Sequence, residues 1–274
     1  MKTLSIAAVL TLALSSAVAQ AATLYDPGLG TMPTAQGWSV LAAGSAATQS
    51  LPGGRLRTDT QTDPAVVQFV NYASPPVGTS LDTVAGFTLS FGLQIVAEAH
   101  QSANRAGYSV LVQGLDQAQA LALSFWGNEV WALAYTPGGA DSGFVHGNGA
   151  PLDTTTGLRQ YALTVQNNAY TLRVDGAALL SGSMVDYPVL GLSTVVYGLS
   201  NTLFFGDDTS RGQSVTELGL VSISAIPEPA SGGLLLAGLG LGGLALGARR
   251  RRINAVPVGA ALARRWPRRS SRLR

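Results

Sequence analysis

The sequence predicts an all-β fold, a single antiparallel β-sandwich over residues 22–226. Three observations carry this. Apolar residues recur with period two, which puts one side of a strand against a core. Tight-turn pairs separate the runs: Asn167-Asn168 and Asp175-Gly176 are residues that tolerate a positive φ. Between the terminal segments no 12-residue stretch shows helical spacing. Many short strands in one continuous length fit two sheets packed face to face.

The elements follow in chain order. Lys2, the apolar run Leu4–Leu14 and Ala19-Gln20-Ala21 compose a secretory signal peptide over residues 1–21, read by a secretion translocon and a signal peptidase. Leu24–Trp38 is a lead-in rich in Pro and Gly. Phe87, Leu89, Phe91, Leu93 and Ile95 alternate with Thr88, Ser90, Gly92 and Gln94, the clearest strand in the chain. Tyr108-Val110-Val112, Leu121-Leu123-Phe125, Tyr161-Leu163-Val165 and Tyr170-Leu172-Val174 repeat the pattern, and Val215–Ser224 closes it. Trp126 and Trp131 flank Gly127-Asn128-Glu129, a hairpin tip.

At the far end come Pro227-Glu228-Pro229, an uncharged run from Ser231 to Ala248, and Arg249, Arg250, Arg251 and Arg252. The prolines favour an extended stalk. Eighteen residues of helix rise about 27 Å, enough for a bilayer core. The arginines then stay cytoplasmic, leaving the sandwich outside. The remaining residues, 253–274, read as an arginine-rich cytoplasmic tail without fixed structure.

Charge divides along the same lines. The pI of the whole chain is 9.1. Residues 22–226 nevertheless hold six arginines, no lysine and 14 acidic residues, a net charge of −8. The exported part is therefore repelled by nucleic acid, and no nucleic-acid partner is expected. With no cysteine, thiol catalysis and thiolate metal sites are excluded, and about 205 residues can bury a core without disulfides.

The order Pro-Glu-Pro, apolar helix, basic cluster resembles the PEP-CTERM sorting signal of Gram-negative bacteria. That resemblance implies an exosortase, a membrane transpeptidase, as processing partner. It also implies transient anchoring in the inner membrane through residues 231–248 and release to the cell surface or extracellular matrix, in association with exopolysaccharide and biofilm. The family usually ends just after its basic cluster, whereas this chain continues for 22 residues. Within the sandwich, Tyr161–Val165, Tyr170–Gly176, Leu180-Ser181-Gly182 and Leu203–Asp208 are similar to concanavalin A-like, laminin-G-like jelly rolls of exosortase substrates. That similarity implies fold rather than ligand.

Candidate chemistry is sparse. A retaining glycosidase needs two carboxylates about 5 Å apart. Glu98, Glu129 and Glu217 show no such neighbourhood in sequence, so no catalytic residue is expected and the protein is read as non-enzymatic. His100 and Arg105, placed in a loop, with Trp126, Trp131 and Tyr135, form a candidate glycan-contact set, an aromatic platform beside polar donors. The competing expectation makes the tryptophans core and pairs Arg105 with Glu98 or Glu129. His146 reads as a loop residue. Asp207 and Asp208 cluster oxygen donors suited to a structural Ca²⁺, the one cofactor considered. Two rival classes remain open: a glycan-active enzyme on a jelly-roll scaffold, and a purely structural matrix module.

Overall fold

The computed structural model describes residues 21–43, 47–61, 69–75, 80–116, 118–139, 141–187, 197–207 and 209–226. The expected signal peptide, sorting motif, apolar run and arginine-rich tail lie outside these residues, apart from Ala21. No helix among the described residues is long and apolar enough to cross a membrane. The only helical pieces there are short 3₁₀ turns, two of them at Pro27–Leu29 and Pro33–Gln36.

The strands run in order. The first five are β1 (Ala22–Tyr25), β2 (Ser39–Ala43), β3 (Thr48–Ser50), β4 (Leu56–Asp59) and β5 (Phe69–Ala73). Then come β6 (Phe87–His100), β7 (Ser109–Gln113), β8 (Ala120–Phe125), β9 (Glu129–Tyr135) and β10 (Phe144–Pro151). The last are β11 (Arg159–Gln166), β12 (Ala169–Val174), β13 (Ala177–Ser183), β14 (Thr202–Gly206) and β15 (Gly212–Ala225). The first sheet has the order β13-β12-β11-β6-β15-β4-β3, with β1 also on β15; the second is β10-β9-β8-β7-β14-β5-β2. All pairings named between strands are antiparallel, and the described residues form an all-β sandwich of two sheets.

The period-two reading of β6 holds from Phe87 to Ile95 except at Gly92, which is buried under Leu158 and Gln160. Phe87, Leu89, Phe91, Leu93 and Ile95 are buried between the sheets, while Thr88, Ser90 and Gln94 are half-exposed. Phe91 sits at the centre, stacked on Tyr161 at 5.1 Å and edge-on to Phe125 and Phe205. Asn167 and Asn168 turn with φ of 53° and 57°, as a two-residue hairpin requires.

Two expectations are corrected. The lead-in is partly strand: β1 pairs with β15, and Trp38 Nε1 donates to Leu24 O. The middle of the second sheet, β7 and β8, is buried on both faces, where alternation suggests one. Val110, Val112, Leu121, Leu123 and Phe125 face the sandwich core. Leu111, Ala120, Ala122, Trp131, Leu133 and Phe204 face outward, packed with Tyr187 and Tyr197 from the connection between β13 and β14. Tyr187 fixes that cover by donating its hydroxyl to Leu133 O at 2.8 Å.

One consequence positions the candidate site. β6 begins at Phe87, opposite Ala225 and Val165, and ends at His100, opposite Gly212. Its 14 residues span roughly 45 Å at ~3.3 Å each. The chain therefore leaves the sandwich at one pole, and His100 stands at the other.

Candidate functional site at the distal pole

At the pole bearing His100, strand ends and loops bring together residues far apart in sequence. His100 lies on the last position of β6, not in a loop, and stacks on Trp126 at 4.3 Å and 7°. Trp126 holds the β8–β9 turn: its N–H donates to Glu129 O, and its indole Nε1 donates to Arg105 O at 2.8 Å. Trp126 also meets Trp131 edge-on at 5.7 Å and His146 at 4.8 Å. His146 in turn stacks on Trp131 at 4.3 Å and 16°.

His146 is a strand residue on β10, a further correction of the sequence reading. A register shift between His146 and Gly149 turns its ring toward the tryptophans, a common use of a bulge. At Gly149 a Cβ would crowd the Glu129 carboxylate and lie 2.9 Å from Trp131 Cβ, so a side chain there would push the carboxylate off its place beside His146. Both imidazole nitrogens of His146 face oxygen, Nδ1 toward Ala103 O and Nε2 toward Glu129 Oε1, each at 3.2 Å.

Two histidine–carboxylate pairs result. His100 Nδ1 lies 3.0 Å from both oxygens of Glu98, and His146 pairs with Glu129. The Glu98 side chain is largely covered, and desolvation pushes its carboxyl above the usual range, against the pull of His100. Arg105 pairs with neither glutamate. Its guanidinium lies 3.8 Å from the centre of the Phe144 ring and donates to Asp141 O. Tyr135 joins through Phe144, 5.7 Å away.

Asp141, which the sequence reading passed over, ties the pole's loops together. It accepts from the Ser102 hydroxyl, from Asn104 Nδ2 at 3.0 Å and from the Arg211 guanidinium. Asn104 Oδ1 then accepts from His146 N at 2.9 Å. Ser102 and Asn104, with Arg211 and Arg105 adding, hold the Asp141 carboxyl below its ordinary value of 3.8. A depressed carboxyl contributes stability that is complete above its unfolded value and lost as pH falls through the folded one. Acidification below about pH 4 is thus expected to loosen these loops. Asp141→Asn should show faster amide exchange at residues 101–106 already at neutral pH, with little further change in acid.

All five candidate glycan contacts therefore meet in one cluster, but they are not equally available. Trp131 is fully buried, with no ring surface open to a ligand. His100, with a third of its side chain exposed, His146, Glu129 and the edge of Trp126 form the open rim. Asp207 stands elsewhere on this pole as a structural group. Its Oδ2 accepts from the Thr60 hydroxyl and its Oδ1 from Thr209 N, and Asp208 lies outside the described residues. No group of three or more His, Asp or Glu suited to a metal ion occurs among the described residues.

At the other pole β15 ends at Ala225, where the matched stretch begins. Residues 225–252 match the family described as the PEP-CTERM protein-sorting motif. The chain carries a PEP-CTERM sorting signal. Such a signal implies exosortase-dependent export toward the cell envelope, with an exosortase as processing partner. No curated protein matches the chain. Among solved structures, the conserved carbohydrate esterase of the Shiga toxin-encoding bacteriophage phi24B is similar at 14% identity and a TM-score of 0.51, covering 75% of this chain and 99% of that one. A galectin-like-fold protein from Bacillus subtilis gives 12%, 0.46, 76% and 98%. The endo-1,3-beta-glucanase of Streptomyces sioyaensis gives 13%, 0.43, 69% and 89%. These likenesses are of fold.

Proposed function

We propose that this PEP-CTERM protein is a non-enzymatic module that is anchored transiently in the inner membrane and processed by an exosortase. It then contacts extracellular polysaccharide at the cell surface or in the matrix. The observation that carries this is an order along one chain: the sorting motif starts where β15 ends, so the sandwich is the cargo. The polar and aromatic rim of His100, Trp126, His146 and Glu129 stands at the opposite pole, a ring edge flanked by donors and acceptors of the kind sugars use.

The phage protein is a carbohydrate esterase, and an ester-cleaving version of this site would need an activated nucleophile beside a base. Two hydroxyls of this pole, engaged as donors, support the non-catalytic reading: Ser102 donates to Asp141, and Thr154 donates to Trp126 O. A glycan array probed with residues 22–226 tests the proposal. Binding without turnover is expected, weakened about tenfold by His100→Ala, the equivalent of ~1.4 kcal/mol. Hydrolysis or deacetylation of any polysaccharide by the purified fragment would overturn it.

A further inference from the structure

The exit pole has a composition of its own. Ile226 is still part of the fold, its N–H donating to Gly86 O at 3.1 Å. Gly86, at φ +103°, makes room for it: a Cβ there would lie 2.8 Å from Ile226 Cδ1. Only Pro227 to Ala230 then separate the sandwich from the uncharged run Ser231–Ala248. The five Cα–Cα steps from Ile226 to Ser231 reach at most about 18 Å. Covalent geometry alone keeps this pole within that distance of the start of the apolar run.

Three of the seven exposed large apolar side chains among the described residues belong to this pole: Val84 at 57%, Leu115 at 52% and Leu199 at 42%. Their loops are stitched together by Asn167 N to Val84 O, Leu115 N to Leu81 O and Asn201 N to Gly114 O, and by Leu81 N to Asn201 Oδ1. Isolated exposed apolar residues are ordinary. Here they occupy loop tips at the pole that the tether holds nearest the expected anchor. The same loops carry Asp82 and Asp116 and no arginine or lysine.

We infer that the exit pole is a membrane-facing surface on which Val84, Leu115 and Leu199 enter the interface of a zwitterionic bilayer while residues 231–248 remain inserted. This rests on the anchored state proposed above. A short tether raises the local concentration of the surface to the millimolar range, so weak apolar contact suffices to orient the domain. The aspartates set the lipid class, since an anionic leaflet repels them. The rim of His100 and Trp126 then faces away from the membrane, toward polymer outside.

The test uses the full chain in phosphatidylcholine vesicles. Lacking cysteine, it accepts single labels: Val84→Cys, Leu115→Cys and, at the distal pole, Gln101→Cys, each carrying an environment-sensitive dye. Circular dichroism confirms that each variant is folded. A blue shift and loss of emission to lipid-borne quenchers are expected at positions 84 and 115 and not at 101, with a smaller effect when anionic lipid is added. If the chain floats with the vesicles while 84 and 115 report water as 101 does, the inference fails and the anchored reading stands; that outcome also covers a pole reserved for a membrane protein. If the chain does not stay with the vesicles, the anchored reading fails and takes the inference with it.

Discussion

Phe91→Asp is expected to unfold the sandwich. The ring is buried in the middle of β6, stacked on Tyr161 and edge-on to Phe125 and Phe205. Removing a core phenylalanine costs about 3–5 kcal/mol, before any charge is forced into the space. An unpaired buried carboxylate adds several more. Together these approach or exceed the ~5–15 kcal/mol that holds a typical domain. Thr88→Asp and Gln94→Asp lie on the opposite side of the same strand. They replace only the Thr88–Thr164 hydroxyl contact and the Gln94 bond to Thr155 O, and should cost about 1 kcal/mol each. Thermal melts followed by circular dichroism separate the two classes. A Phe91→Asp that melts like wild type, with Thr88→Asp collapsing, would place the register of β6 one residue off.

Gly206→Ala is expected to be strongly destabilising, though less so than Phe91→Asp, and for a different reason. Gly206 ends β14 at φ +142°, between Asn71 on β5 and Ser109 on β7. A Cβ would stand 2.2 Å from Val70 O and 2.8 Å from Asn71 Cα, both backbone atoms that cannot swing aside. Strain and clash together should cost roughly 3 kcal/mol or more. Gly176→Ala is the control, with φ +85° but nothing within 4 Å, and should cost about 1 kcal/mol. Urea titration of the two variants measures the difference, which should lie in the midpoint rather than the slope.

Much of the fold was legible because it rests on local rules. Phe87 to Ile95 alternate, and alternation with turn pairs at 167–168 and 175–176 is enough for antiparallel strands with one buried face. What local rules miss is the second layer. Leu111, Ala122 and Leu133 lie outside the sandwich core, and their burial depends on Tyr187 and Tyr197 arriving from a distant connection. Trp131 is buried for the same reason, though its neighbour Trp126 stays partly open.

The candidate site divides similarly. His100, Arg105, Trp126, Trp131 and Tyr135 could be gathered from sequence because they lie at the end of β6, in the loop after it and along the β8–β9 hairpin. His146 could not, since its position depends on the shifted register of β10, and a Val-His-Gly-Asn-Gly stretch reads as a loop. Asp141 was missed because its role is set in space. It receives bonds from Ser102, Asn104 and Arg211, about 40 and 70 residues away in the chain, and nothing in its own neighbourhood signals them.

The central claim is that this sandwich is cargo for a sorting signal that is read and removed. Its most direct measurement is fractionation of an exosortase-bearing host that expresses the chain with one epitope on an exposed sandwich loop and another after Arg274. Wild type should lose the second epitope and reach the surface or medium as a shortened form, while Glu228→Ala stays full-length in the inner membrane. Wild-type protein found only full-length in that membrane, with both epitopes attached, would contradict the account and leave a plain membrane anchor in its place.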